Sequence, residues 1–139
     1  MDWLEINKQV IAEFRANGGK PGGQMEGLPV VLITMAGAKS GRELCSPLVY
    51  STDGDDVVII ASKGGAPEHP NWYYNLVANQ TVTVEVGTDT YEATAVLAQG
   101  EERTRLYDAQ AAEQPQFLQY AASAAETGRV IPVFRIEKN

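Results

Sequence analysis

The segment Thr81–Val86 alternates strictly, with Val82, Val84 and Val86 on one side of the chain and Thr81, Thr83 and Glu85 on the other. A period of two belongs to a strand with one face buried and one face wet. Gly87, Thr88 and Asp89 follow it and lead into the run 91–97, so the pair reads as a hairpin. Residues 47–51 and 57–61 form a second pair, joined across Asp53, Gly54 and Asp55. Two further runs, 29–35 and 131–136, have strand length and β-branched character. Pro132, lacking an N–H, suits a sheet edge or a bulge. Six short strands, mostly in hairpins, predict a mainly β fold with helices (α+β), an antiparallel barrel either closed or split.

Helical spacing is confined to three places. Trp3, Leu4, Ile6, Val10, Ile11 and Phe14 share one face of a predicted N-terminal helix over 1–17. Asp2 is its expected N-cap, Glu5 completes a capping box, and Asn17, Gly18 and Gly19 end it. Residues 18–23, with four glycines and a proline, read as a loop. A second helix is expected over 70–78 with Pro70 at its first helical position. A third is expected over 101–112, with Leu106 and Tyr107 turned to the core. Without an internal repeat or a linker, the 139 residues are expected to form one domain, 1–139.

Charge and rare residues narrow the chemistry. The formal net charge of -7 argues against a nucleic-acid partner and against docking on an anionic membrane by charge. One cysteine, Cys45, and one histidine, His69, leave no disulfide framework and almost no ligands for a transition metal, so no metal is expected. No apolar run approaches the roughly 20 residues that span a bilayer. The acidic start lacks the features of a signal peptide, so a cytoplasmic protein is expected. The apolar face of the first helix permits a peripheral place at a membrane, but its acidic residues disfavour it. With a single histidine to serve hydrolysis, demanding chemistry is expected to come from a borrowed cofactor.

Three segments at strand ends or turns depart from core patterning. The turn 36–42 has Gly37 and Gly41 around Lys39 and Ser40, then Arg42, a cradle for an anion as much as an ordinary hairpin turn with solvated charges. The turn 61–67 places Ser62 and Lys63 before Gly64 and Gly65, and taken alone it reads equally as a flexible loop. Lys39, Arg42 and Lys63 are the only basic residues between Lys20 and Arg103, and all three lie in these turns. The third segment, 69–76, puts Trp72 and Asn75 on one helical face, able to line a planar ring or simply to anchor the core and meet water.

In order and combined spacing these pieces resemble the deazaflavin (F420)-dependent nitroreductase family, a branch of the split β-barrel flavin/deazaflavin oxidoreductases. The matching stretches are 13–19, 37–41, 47–50, 61–65, 69–76 and 129–132, nearly the whole chain. The resemblance implies coenzyme F420 as cofactor, its phosphate and oligoglutamate tail held by Lys39, Ser40, Gly41 and Arg42. It implies a deazaflavin ring bordered by Pro47, Tyr50, Ala61, Ser62, Lys63 and Gly64, with Trp72 and Asn75 beside it. Tyr120 matches a tyrosine at the substrate mouth that protonates or orients the acceptor, and Ser62 joins it at the reacting end. The sequence departs from the family in having Ala38 and Leu44 where basic residues are usual. At the mouth it has Phe117, Ser123 and Glu126 in aromatic positions.

The expected reaction is hydride transfer from reduced deazaflavin to an electron-poor small acceptor: a quinone, an activated enone or a nitro compound. Two rivals stand beside it. FMN on the same barrel would need fewer basic residues, having one phosphate and no acidic tail. A non-catalytic F420-binding carrier would bind tightly and reduce nothing. Monomer and homodimer are both compatible with the sequence.

Overall fold

The computed structural model describes residues 3–139. Its six strands are β1 (Val30–Ala36), β2 (Glu43–Asp53), β3 (Asp56–Ile60), β4 (Thr81–Val86), β5 (Asp89–Leu97) and β6 (Val133–Lys138). They close into an antiparallel barrel in the order β1-β2-β3-β6-β5-β4. Closure is made by β4, which returns to pair with β1 through Ile33 and Val84, and by β6, which fills the gap between β3 and β5.

Burial explains why some strands read as continuous apolar runs and others alternate. In β3, Val57 and Ile59 point into the barrel, while Val58 and Ile60 lie outside under helices. β1 is covered twice as well: Val31, Ile33 and Met35 face inward, and Val30 and Leu32 lie beneath the first helix. β4 has one wet face, so Val82 and Val84 are buried and Thr81 is exposed. Phe134 and Ile136 complete the interior.

The first helix, α1 (Trp3–Ala16), packs Val10 and Phe14 against that outer face of β1. Fully burying side chains of this size stabilises by roughly 1.5–3 kcal/mol each. It stops as expected: the Gly19 N–H returns to the Phe14 carbonyl at 2.8 Å, with Gly18 and Gly19 in the left-handed region. The Asp2 cap and the side chains of Trp3 and Leu4 lie outside the described residues.

Helix α2 (Asn71–Ala78) joins β3 to β4. Pro70 is its N-cap and not its first helical residue, because its extended ψ of 156° turns the chain before the helix begins. Helix α3 (Gly100–Glu113) buries Leu106 and Tyr107 as read from the sequence. The chain then forms α4 (Gln116–Ala125), a helix the sequence reading omitted. Its signal was present: Phe117, Tyr120, Ala121 and Ala124 follow i, i+3, i+4, i+7 spacing, immediately after Pro115. The last strand starts at Val133, two residues later than expected. Pro132 has no N–H for the ladder, and its carbonyl instead accepts the Ala61 N–H at 2.9 Å.

Candidate active site

The strand β2, the turn after β3, α2 and α4 converge on a cleft of about 290 Å³. Pro47, Leu48, Val49 and Ile60 give it an apolar floor, and Trp72 stands at one wall. Phe117 and Tyr120 of α4 form the other, their rings edge-to-face with centroids 5.2 Å apart. Ser62, Lys63 and Gly64 complete the rim.

That rim is an unusual piece of backbone. Lys63, Gly64 and Gly65 have φ of 49°, 63° and 82°, three successive left-handed residues. Lys63 is the one non-glycine residue with positive φ among the described residues. Such backbone persists where the surroundings over-determine it. Here α4 does so on one side: a Cβ on Gly65 would lie 2.6 Å from the Tyr120 carbonyl oxygen and 2.9 Å from Ser123 Cβ. Arg129 does so on the other. Its guanidinium donates to the carbonyls of Ala61, Ser62 (2.9 Å) and Ala66 (2.7 Å), and its Nε to His69 Nδ1 (2.9 Å). Neither relationship has a local signature, since more than 60 residues separate Arg129 from these carbonyls.

Of the residues singled out from the sequence, Pro47, Ser62, Lys63, Gly64, Trp72 and Tyr120 meet at the cleft. Trp72 also packs on the barrel core, 6.0 Å from the Phe134 ring, so it is a core anchor as well as a wall of the cleft. Lys63 is ion-paired with Glu68 at 2.9 Å, and that lysine holds the Glu68 carboxyl below its usual range. Ala61 is fully buried, its carbonyl taken by Arg129. Tyr50 packs against the barrel core and lines a separate, larger groove of about 990 Å³ under the loop after α1.

Asn75 does not line the cleft and is half-buried. Its amide oxygen accepts the Ala38 N–H at 2.9 Å, which ties α2 to the turn between β1 and β2. In that turn Gly37 and Arg42 close the hairpin, Ser40 Oγ accepts the Arg42 N–H at 3.2 Å, and Gly41 is left-handed. Lys39, Ser40, Gly41 and Arg42 are all exposed. Neither Lys39 nor Arg42 has an ion-pair partner among the described residues, whereas Arg15, Lys63, Arg105 and Arg135 all do. Two free cations in a chain of net charge -7 mark a place where negative charge is welcome.

Residues 6–138 match the family model described as F420H2-dependent quinone reductase. The chain belongs to that family. An F420H2-dependent quinone reductase of Mycobacterium tuberculosis (strain H37Rv) is 34% identical over 140 residues, covering 94% of this chain and 93% of that protein. The solved F420-H2 dependent reductase FDR-A is 39% identical with a TM-score of 0.71, covering 78% of this chain and 94% of the other. A third relative, solved as a domain-swapped dimer, is 34% identical with a TM-score of 0.73 and covers 98% of both chains.

Family membership makes this an F420-dependent oxidoreductase on a split-barrel scaffold. The residues present suit such a cofactor. The cleft is at the small end of ligand pockets, the size for one flat ring system. Open space lies over the rim, since a Cβ on Gly64 would meet nothing within 4 Å. From Pro47 at the cleft to Glu43 at the first turn, β2 runs four residues, about 13 Å, so an anionic tail leaving the ring can reach Lys39 and Arg42. No helix among the described residues is long and apolar enough to cross a membrane.

Proposed function

We propose that this reductase transfers a hydride from reduced F420 to an acceptor of the quinone class held between Trp72, Phe117 and Tyr120. The observation that carries the reading is the cleft, which sets an apolar floor, a strained backbone rim and a tyrosine against one another. When bound, the cofactor supplies the hydride. Lys39 and Arg42 hold its acidic tail, with Ser40 and Gly41 shaping the turn that carries them. Pro47 and Trp72 flank the ring, and Lys63 with Gly64 forms the edge against which it rests. Asn75 acts at one remove by fixing the tail-binding turn through Ala38.

The acceptor needs one hydride and one proton to become a neutral hydroquinone. Tyr120 is the proton source at the acceptor oxygen and is reprotonated from water, and Ser62 orients the acceptor from the opposite rim. Among the described residues no hydrogen bond ties down the Tyr120 hydroxyl, which leaves it free to serve a ligand. Phe117, beside it, gives the acceptor a flat apolar surface. The chain acts as one domain, and the domain-swapped dimer formed by one relative makes a homodimer the assembly to look for first.

The test is a titration of the purified protein with F420 and, separately, with FMN, followed by tryptophan fluorescence with Trp72→Phe as control. Quenching by F420 that is lost in the control, and oxidation of reduced F420 on adding a soluble naphthoquinone, are expected. Quenching by FMN alone would overturn the cofactor assignment. F420 binding without turnover of any quinone, enone or nitro compound would make the protein a carrier.

A further inference from the structure

One guanidinium holds the whole rim of the cleft. Arg129 follows α4, yet every side-chain hydrogen bond it makes is to the segment 61–69: three carbonyls and the imidazole of His69. Arginine has only donors, so the His69 Nδ1 facing it must carry a lone pair. The imidazole is further fixed by Tyr73, whose ring centroid is 4.3 Å away, and by Tyr74 at 6.1 Å.

Between them these contacts leave little freedom to the residues they enclose. Lys63, Gly64 and Gly65 lie between the carbonyls of Ser62 and Ala66, both of which Arg129 grips. Left-handed φ at Lys63 crowds its Cβ against the backbone, so this conformation needs an external hold. The Lys63–Glu68 pair is too exposed to supply it, with side chains 44% and 62% accessible.

We propose that Arg129 is a positioning residue for cofactor binding: it holds the Lys63–Gly65 rim in its left-handed form, and it does so only while His69 is neutral. The inference rests on the cofactor reading above for what the rim binds, but the clamp itself is a property of the protein alone. A proton on Nδ1 would set an N–H against the N–H of Arg129 and a positive charge against a positive charge.

The surroundings of His69 fit this role. On its own segment are Lys63 and Glu68, which neutralise each other. From α2 come the neutral rings of Tyr73 and Tyr74. From α3, Arg103 lines the same cavity and is occupied with the Ile131 carbonyl and the Tyr107 ring. The ionised group in direct contact with the imidazole is thus a cation, Arg129. Burial, and then the charge of Arg129, push the His69 pKa below the ordinary imidazole value. The neutral form is therefore the folded one at pH 7, and the clamp is lost as pH falls through that lowered pKa.

The experiment compares the parent with Arg129→Lys and His69→Asn, which keeps an acceptor but cannot titrate. Amide hydrogen exchange is read at Lys63, Gly64 and Gly65 without cofactor, and F420 affinity by fluorescence between pH 5 and 8. In Arg129→Lys the rim amides should exchange at least tenfold faster while Ile33 and Val84 in the barrel do not change, and F420 should bind at least tenfold more weakly. The parent should lose affinity in acid, and His69→Asn should bind within threefold of it at pH 7 with a flat profile. Unchanged rim exchange and affinity in Arg129→Lys, or an acid loss that persists in His69→Asn, would overturn the proposal. If Arg129→Lys does not fold, the His69→Asn profile still decides. A parent protein that binds no F420 would sink the cofactor reading while leaving the exchange measurements to judge the clamp.

Discussion

Asn75 accepts the Ala38 N–H at 2.9 Å, so the helix that brings Trp72 to the cleft also sets the position of the turn that carries Lys39 and Arg42. The proposed ring and tail sites would therefore be coupled through one turn of α2. Replacing Asn75 by Ala should weaken F420 binding several-fold while costing only about 1 kcal/mol of stability. Asn75→Asp keeps the acceptor but brings a carboxylate up to the turn that carries Lys39 and Arg42, so it should hold the turn and still bind the acidic tail more weakly than the parent. A cofactor fragment without the acidic tail should not distinguish the three proteins, and equal losses with and without the tail would break the link between Asn75 and the turn.

Lys39 and Arg42 stand free of ion pairs among the described residues, so neither surrenders a partner on binding. Charge-assisted contacts to a phosphate or carboxylate contribute about 1.5–3 kcal/mol each. Lys39→Ala and Arg42→Ala should each lower F420 affinity by roughly ten- to a hundredfold and should flatten its dependence on salt. Isothermal titration at two ionic strengths would show this, and a loss confined to one of the two positions would assign the tail to that side of the turn.

Gly64 and Gly65 look equivalent in the sequence and are not equivalent in the structure. Both have left-handed φ, but only at Gly65 would a methyl group strike α4. Gly64→Ala should cost about 1–2 kcal/mol from backbone conformation alone. Gly65→Ala adds the clash with the Tyr120 carbonyl and should cost distinctly more. Urea unfolding of the two variants gives the comparison directly, and equal losses would mean that α4 yields easily.

Tyr120→Phe keeps the ring packed on Phe117 and removes the hydroxyl. Cofactor affinity should stay within twofold of the parent, and turnover with a quinone should fall by roughly a hundredfold, the lower end of the range for general-acid groups because water can substitute. Single-turnover oxidation of bound reduced F420 separates the two quantities. A lower affinity with unchanged turnover would make Tyr120 a wall of the cleft and nothing more.

Far from the cleft, Arg135 reaches Asp53, Asp56 and Glu102 while Arg105 also grips Asp53, binding the β2–β3 hairpin to β6 and α3. Hydrogen bonds from Arg105 and Arg135 hold the Asp53 carboxyl well below its usual range. A carboxylate depressed in the folded state stabilises above its unfolded pKa of about 4 and loses that contribution as pH falls below it. Asp53→Asn should therefore lower the melting temperature at pH 7, and the difference from the parent should shrink as the pH drops from 4 towards 2.

The barrel was legible because its strands carry their own instructions: alternation at Val82 and Val84, glycine turns at Gly54 and Gly87, and double-sided burial written as the unbroken runs around Val31 and Val58. Much of the cleft was legible for the same local reason, since Ser62, Lys63 and Gly64 are consecutive and Trp72 follows within ten residues. What escaped was everything set by distance. Helix α4 had the right spacing but began among glutamines after a proline. Arg129 looks like any surface arginine until the carbonyls it serves are folded beneath it. Gln110, fully buried and accepting the Ser51 hydroxyl at 2.9 Å, reads as a solvent-facing helix residue in the chain. Asn75 was placed on the helical face of Trp72, but its hydrogen bond to Ala38 was not foreseen, because the turn it meets lies 37 residues earlier.

The contact between Gly65 and the backbone of Tyr120 also bears on how such a protein can change over generations. Two walls of the cleft are spaced by the thickness of a bare main chain, so neither can drift without carrying the other along. New acceptors must then be met by exchanging side chains along α4, one position at a time, upon a frame that stays where it is.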